Sequence, residues 1–178
     1  KHKLQDDYFL YLKNWMNDNA FEHKQYFYGH SHCSIPLGYL VKRAIYNIKN
    51  KAEDNREIHF LNSYWKQFVQ KKKSIDYFLP LLDVSNTINN ESFYASLAIS
   101  LYISQISKIS NCIVAMDKFP TWISLPESLS FYEQVSIVLE SIHNLQNNTC
   151  NYQKAIQLII HTLKETNVNQ QFIKNMKL

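Results

Sequence analysis

Apolar positions recur every three to four residues from Leu37 to Asn50, with Leu40, Ala44 and Ile48 in one row. They recur again from Arg56 to about Gln70, with Phe60, Tyr64 and Phe68. Both stretches predict amphipathic helices. An earlier row of Tyr8, Leu12 and Trp15 predicts a helix over Leu4 to Asn19, and Gln25 to Pro36 reads as loop or turn. Asn55 is placed to cap the Arg56 helix, and Lys71-Lys72-Lys73 suits its C-terminal dipole. The pattern then changes. Ile75 to Leu82 is apolar throughout except Asp76, as a strand covered on both faces would be. Asn90-Glu91 supplies a cap and a first-turn acid for a long apolar helix to about Ile109. In that helix Phe93, Leu97 and Leu101 form one row, with Ala95, Ile99 and Ile106 on a neighbouring face.

Cys112 to Met116 and Thr121 to Leu125 read as short strands around Asp117-Lys118-Phe119-Pro120. Ser130 to Asn144 predicts a helix with Val135, Ile137, Val138 and Ile142 inward, and Tyr152 to Lys164 predicts another. The order is helices, then β-α-β-β-α-α. It predicts an α/β domain, a truncated doubly wound sheet preceded by an α-helical segment. Ile75–Leu82 and Cys112–Met116 should be parallel neighbours joined by the crossing helix. The expected division is a basic, aromatic-rich helical segment over residues 1–73 and a partial α/β domain over 74–178.

The first strand runs into a loop where Asp83, Ser85 and Thr87 stand at i, i+2 and i+4. A carboxylate and two hydroxyls that converge at a strand end offer hard oxygen donors, suited to Mg²⁺ or Ca²⁺. The alternative is a local turn in which the same groups bond to backbone. The Asp-x-Ser-x-Ser/Thr spacing resembles the metal-ion-dependent adhesion site of von Willebrand factor A domains. The longer run from Asp83 to Ile106 resembles the von Willebrand A module of a family of unassigned function found in plants, fungi and large DNA viruses, related to the TROVE module of the Ro autoantigen. Trp65-Lys-Gln-Phe-Val and Asn151-Tyr-Gln-Lys-Ala-Ile-Gln-Leu-Ile extend the similarity over roughly residues 56 to 165. The resemblance implies a binding or scaffold module with a divalent ion held by Asp83, Ser85, Thr87 and a threonine from a second loop. Without a gap Cys150 falls on that threonine position, and Thr149 sits one residue early. Asn86 replaces the family's glycine, and the third loop's aspartate has no counterpart before Leu178.

Charge divides unevenly. Residues 1–73 carry 13 Lys/Arg against 7 Asp/Glu and hold 14 of the 25 aromatic residues, whereas residues 74–178 carry 6 against 8. Lysines and aromatics together suit RNA, with Lys42, Arg43, Lys71, Lys72 and Lys73 as the candidates; the competing assignment is a helical core with solvated lysines. His23, His30, His32 and Cys33 cluster without a recognised zinc-finger spacing. Three cysteines without CxxC spacing imply a reducing compartment. No run of 18 apolar residues and no leader pattern is visible, so no membrane partner is expected. Heavy use of Asn, Ile, Lys and Tyr suggests an AT-rich genome. The location expected is intracellular, with the virion of a large DNA virus as one compartment and a structural virion role as a further alternative. With two glycines and no HExxH or nucleophile elbow, no enzymatic activity is expected. The expected partner is another protein chain or a further segment of the same polypeptide, because a short sheet leaves open edges.

Overall fold

A computed structural model describes residues 35–51, 55–70, 74–84, 90–109, 111–143, 149–165 and 176. The expected Leu4–Asn19 helix, the His23–Cys33 cluster and Lys71–Lys73 lie outside the described residues. The chain divides into Lys1–Ile35 and Pro36–Leu178. The unit that carries the sheet therefore starts at Pro36 rather than at residue 74. The reason is packing: the helices at Leu37–Asn50 and Asn55–Gln70 lie against the helices of the α/β part.

Those two helices are α1 (Leu37–Asn50) and α2 (Asn55–Gln70), followed by β1 (Leu81–Asp83), α3 (Glu91–Ile106), β2 (Cys112–Met116), β3 (Thr121–Ser124), α4 (Phe131–Ile142) and α5 (Tyr152–Glu165). The class is mixed α/β. β1 pairs with β2 in parallel, Leu81 opposite Val114 and Asp83 opposite Met116. β2 and β3 form an antiparallel hairpin, Cys112 opposite Ser124. The three strands make one sheet in the order β1-β2-β3 among the described residues. Among those residues no helix is long and apolar enough to cross a membrane.

The first strand is shorter than its apolar run. Pro80 has no N–H to give a ladder, and the Ser107 hydroxyl takes over the backbone ahead of it. Ser107 Oγ accepts from Phe78 N–H at 2.9 Å and lies 2.7 Å from the Phe78 carbonyl and 3.1 Å from that of Asp76. Ile75 keeps only an isolated parallel bridge to Ser107.

Helix ends follow local chemistry. Asn90 caps α3 through its side-chain oxygen, which accepts from Phe93 N–H at 2.7 Å. Ser130 and Glu133 form a reciprocal capping box on α4, which holds the exposed Glu133 carboxyl below its ordinary range through the Ser130 backbone N–H. Asn55 is the first residue of α2 rather than its cap. Within α3, Phe93, Leu97 and Leu101 are buried as expected, but Ala95 and Ile99 are exposed. The second inward row is Tyr94, Ala98 and Leu101 instead. This helix is apolar on nearly every side, so periodicity alone does not choose which sides are covered. α1 approaches it closely: a Cβ on Gly38 would lie 3.2 Å from the Ala95 backbone nitrogen. Lys42 then reaches Glu91 at 2.5 Å and pins α1 to the start of α3.

Every residue of β2 is buried, so both faces of the sheet are covered. On one face Leu79, Cys112, Val114 and Met116 pack with Ala155, Ile159 and Leu163 of α5. Side chains alternate across a strand, so Leu82, Ile113, Ala115 and Ile123 take the other face. α3 meets β1 and β2, and α4 meets β3. The core is thus two apolar layers separated by the sheet.

Candidate functional site

Ligand sites in open α/β sheets lie beyond the carboxyl ends of the strands. Here those ends are Asp83 of β1 and Met116 of β2, side by side in register. Asp83 is exposed, while Asp117, the residue after β2, is fully buried. Val84 N–H donates to the Met116 carbonyl at 3.2 Å and continues the pairing beyond the strand.

The segment ahead of α5 is drawn onto this end of the sheet. Asn151 N–H donates to the Asp117 carbonyl at 3.1 Å, and the Asn151 side chain accepts from Lys154 N–H at 3.0 Å in the first turn of α5. Cys150 is thereby set against β1: its thiol donates to Asp83 Oδ1 at 3.1 Å and lies 3.5 Å from the Met116 carbonyl. Thr149 is exposed, and Cys150 is the residue that meets Asp83. Ser85 and Thr87 lie outside the described residues. Two loops 67 positions apart therefore meet at the strand ends.

Of the two side chains that meet here, Asp83 is a hard oxygen donor and the Cys150 thiol a soft one. Mg²⁺ and Ca²⁺ take oxygen ligands, and here the thiol already satisfies one Asp83 oxygen. Among the described residues no group of three or more His, Cys, Asp or Glu side chains could hold a metal.

The two described cysteines differ. Cys112 is buried, and burial pushes its thiol up to about 12; Cys150 is half-buried. Only the thiolate is nucleophilic, so at pH 8 a thiol at about 12 reacts through roughly one part in ten thousand of its population. Brief iodoacetamide treatment of the native protein, followed by peptide mass mapping, should modify Cys150 and leave Cys112 intact until denaturant is added. Labelling of Cys112 at the same rate as Cys150 would contradict the burial of β2.

Of the basic residues expected to meet phosphate, Lys42 and Arg43 are among the described residues, and both are engaged. Lys42 bonds Glu91 at 2.5 Å, which raises its pKa, and Arg43 bonds Glu57 at 2.8 Å. Each lies over a ring as well, Lys42 over Tyr94 and Arg43 over Tyr46. Asp117 was missed as a member of the strand-end group. The signal was an acid directly after an apolar strand, the feature that singled out Asp83.

Comparison with known proteins gives no match: no family model, curated protein or solved structure is similar to this chain.

Proposed function

We propose that the chain is a von Willebrand factor A-like, doubly wound module that acts in protein assembly and not in catalysis, with its divalent-ion site in degenerate form. The observation that carries this reading is the contact between Cys150 and Asp83. It joins the first loop to the residue that the resemblance aligns with the second-loop threonine, at the strand ends where such a module binds its ligand. The parallel pair β1–β2 with α3 between them supports the same reading. Cys150 fills the place of a hard donor with a soft one, so the module as proposed does not depend on Mg²⁺ or Ca²⁺.

Protein is the partner class that the surface favours. From the strand ends α5 carries an exposed apolar row, Tyr152, Ile156 and Ile160, beside its buried row Ala155, Ile159 and Leu163. Apolar rows left in water mark interaction surfaces. The test is proximity crosslinking of the full chain in the cells that make it, comparing wild type with Asp83→Arg and Ile156→Asp. A central interface residue is worth a loss of about tenfold or more on substitution. Both variants should lose the same partner proteins by that factor, while Lys164→Ala retains them. An unchanged partner set for both variants would place binding elsewhere.

A further inference from the structure

The hairpin between β2 and β3 presents a phenyl ring to water. Phe119 is 56% exposed, and two ammonium groups gather on it: Lys154 Nζ is 4.4 Å from the ring centroid and Lys118 Nζ is 5.6 Å. Lys118 is its chain neighbour. Lys154 comes from the first turn of α5, held beside the hairpin by the Asn151–Asp117 backbone bond. The pair is therefore assembled by tertiary structure.

Charge balance separates this spot from the other cation–ring contacts. Lys42 over Tyr94 has Glu91, Arg43 over Tyr46 has Glu57, and Lys108 over Tyr77 has Asp76. Neither Lys118 nor Lys154 makes an ion pair among the described residues. Both ammonium groups lie close enough to one ring to be within about one Debye length of each other, roughly 10 Å at 0.1 M salt, so they repel. An anion at this place removes that repulsion.

We propose that Phe119, Lys118 and Lys154 form a binding spot for single-stranded nucleic acid. One base stacks on the Phe119 ring, and the two lysines take the phosphates that flank it. An anion with a flat, unpaired π-face satisfies both halves of the spot. A duplex buries its base faces, and an acidic peptide meets the lysines but leaves the ring in water. Binding exchanges an exposed cation–π contact, which is weak, for a base stack and direct phosphate contacts. The spot uses neither Asp83 nor Cys150, so it stands or falls separately from the protein-assembly reading.

Fluorescence anisotropy of a labelled twelve-nucleotide oligouridylate with the full chain, at several salt concentrations, tests the proposal. Phe119→Ala should weaken binding about tenfold. Lys118→Ala/Lys154→Ala should flatten the slope of log affinity against log salt by about 1.4, the loss of two single-strand phosphate contacts. Lys164→Ala, at the far end of α5, should change neither. All four positions are exposed, and thermal melts check that each variant is folded. An affinity unaltered by Phe119→Ala would overturn the proposal, as would a salt slope unaltered by the double variant. Polyglutamate binding as tightly as the oligonucleotide would assign the lysines to an acidic protein instead, and no measurable binding at low salt would end the proposal outright.

Discussion

Replacing Trp65 by alanine should lower the unfolding free energy by about 4 kcal/mol, within the range for truncating a buried aromatic side chain. Trp65 is 2% exposed and stacks on Phe131 of α4 with ring centroids 4.4 Å apart. Its indole N–H donates to Gln105 Oε1 at 2.8 Å. Gln105 Nε2 donates in turn to Gln134 Oε1 at 2.5 Å, and Gln134 Nε2 reaches the Leu129 carbonyl at 3.4 Å. One side chain thus ties α2 to α3 and α4. Truncation opens a cavity and also strips the half-buried Gln105 of its donor, and a lost hydrogen bond adds its own cost. For a chain of this length about 4 kcal/mol corresponds to a fall in Tm of roughly 8–16 °C. Trp65→Phe keeps part of the stack but loses the donor and the volume of one ring, so a smaller cost of about 1–3 kcal/mol is expected for it. Urea denaturation of the three proteins is the measurement. A loss below about 1 kcal/mol for the alanine variant would mean that α2 is not part of the folded unit, and that the boundary near residue 74 suggested by composition was correct.

That boundary shows where charge and composition mislead. The basic surplus ahead of residue 74 looks like a separate segment, yet Lys42 and Arg43 spend their charge on Glu91 and Glu57. The Glu91 bond joins two regions that the charge count separates, and the distance of 49 positions hides it from any local pattern. Helices were legible where one face is clearly apolar: α1 begins and ends at the residues its periodicity predicts. β2 was equally plain, because its covered run is bounded by polar positions and lacks proline.

The remaining differences have side-chain causes. The run Ile75–Leu82 has the composition of a strand along its whole length, but a single hydroxyl from Ser107 takes the backbone groups of Asp76 and Phe78. That competition is a tertiary contact, and hydrophobic period carries no record of it. At the candidate site the same division holds. Asp83 was legible as an acid that ends an apolar strand. Its partner was legible only through the resemblance, which set Thr149 or Cys150 opposite it. Spacing alone does not bring Cys150 there, because it reaches Asp83 where the Asn151–Asp117 bond holds the start of α5 against β2. Periodicity locates elements and the ends of strands. Which loop residues meet there depends on bonds between segments far apart in sequence.

Leu82 and Leu81 turn this argument into a measurement, because adjacent strand residues face opposite layers. Leu82 is fully buried in the middle of β1, opposite Ala115 of β2. A small cross-strand neighbour has little volume with which to fill a gap. Leu82→Ala should therefore cost about 3–4 kcal/mol, in the middle of the range for buried leucines. That is a large share of the stability of an ordinary domain, about 5–15 kcal/mol. Leu81 lies against the α5 layer and is only half-buried. Leu81→Ala should cost about 1 kcal/mol, since much of its surface is already in water. The ratio matters more than either value. A one-residue slip of β1 would exchange the two faces and reverse the order of the two losses. It would also turn Asp83 into the core and carry its carboxylate away from Cys150. Chemical denaturation of both variants, with Cys150 labelling rates measured in parallel, reads register and site together. A greater loss for Leu81→Ala than for Leu82→Ala would remove Asp83 from the strand-end site on which the proposed function rests.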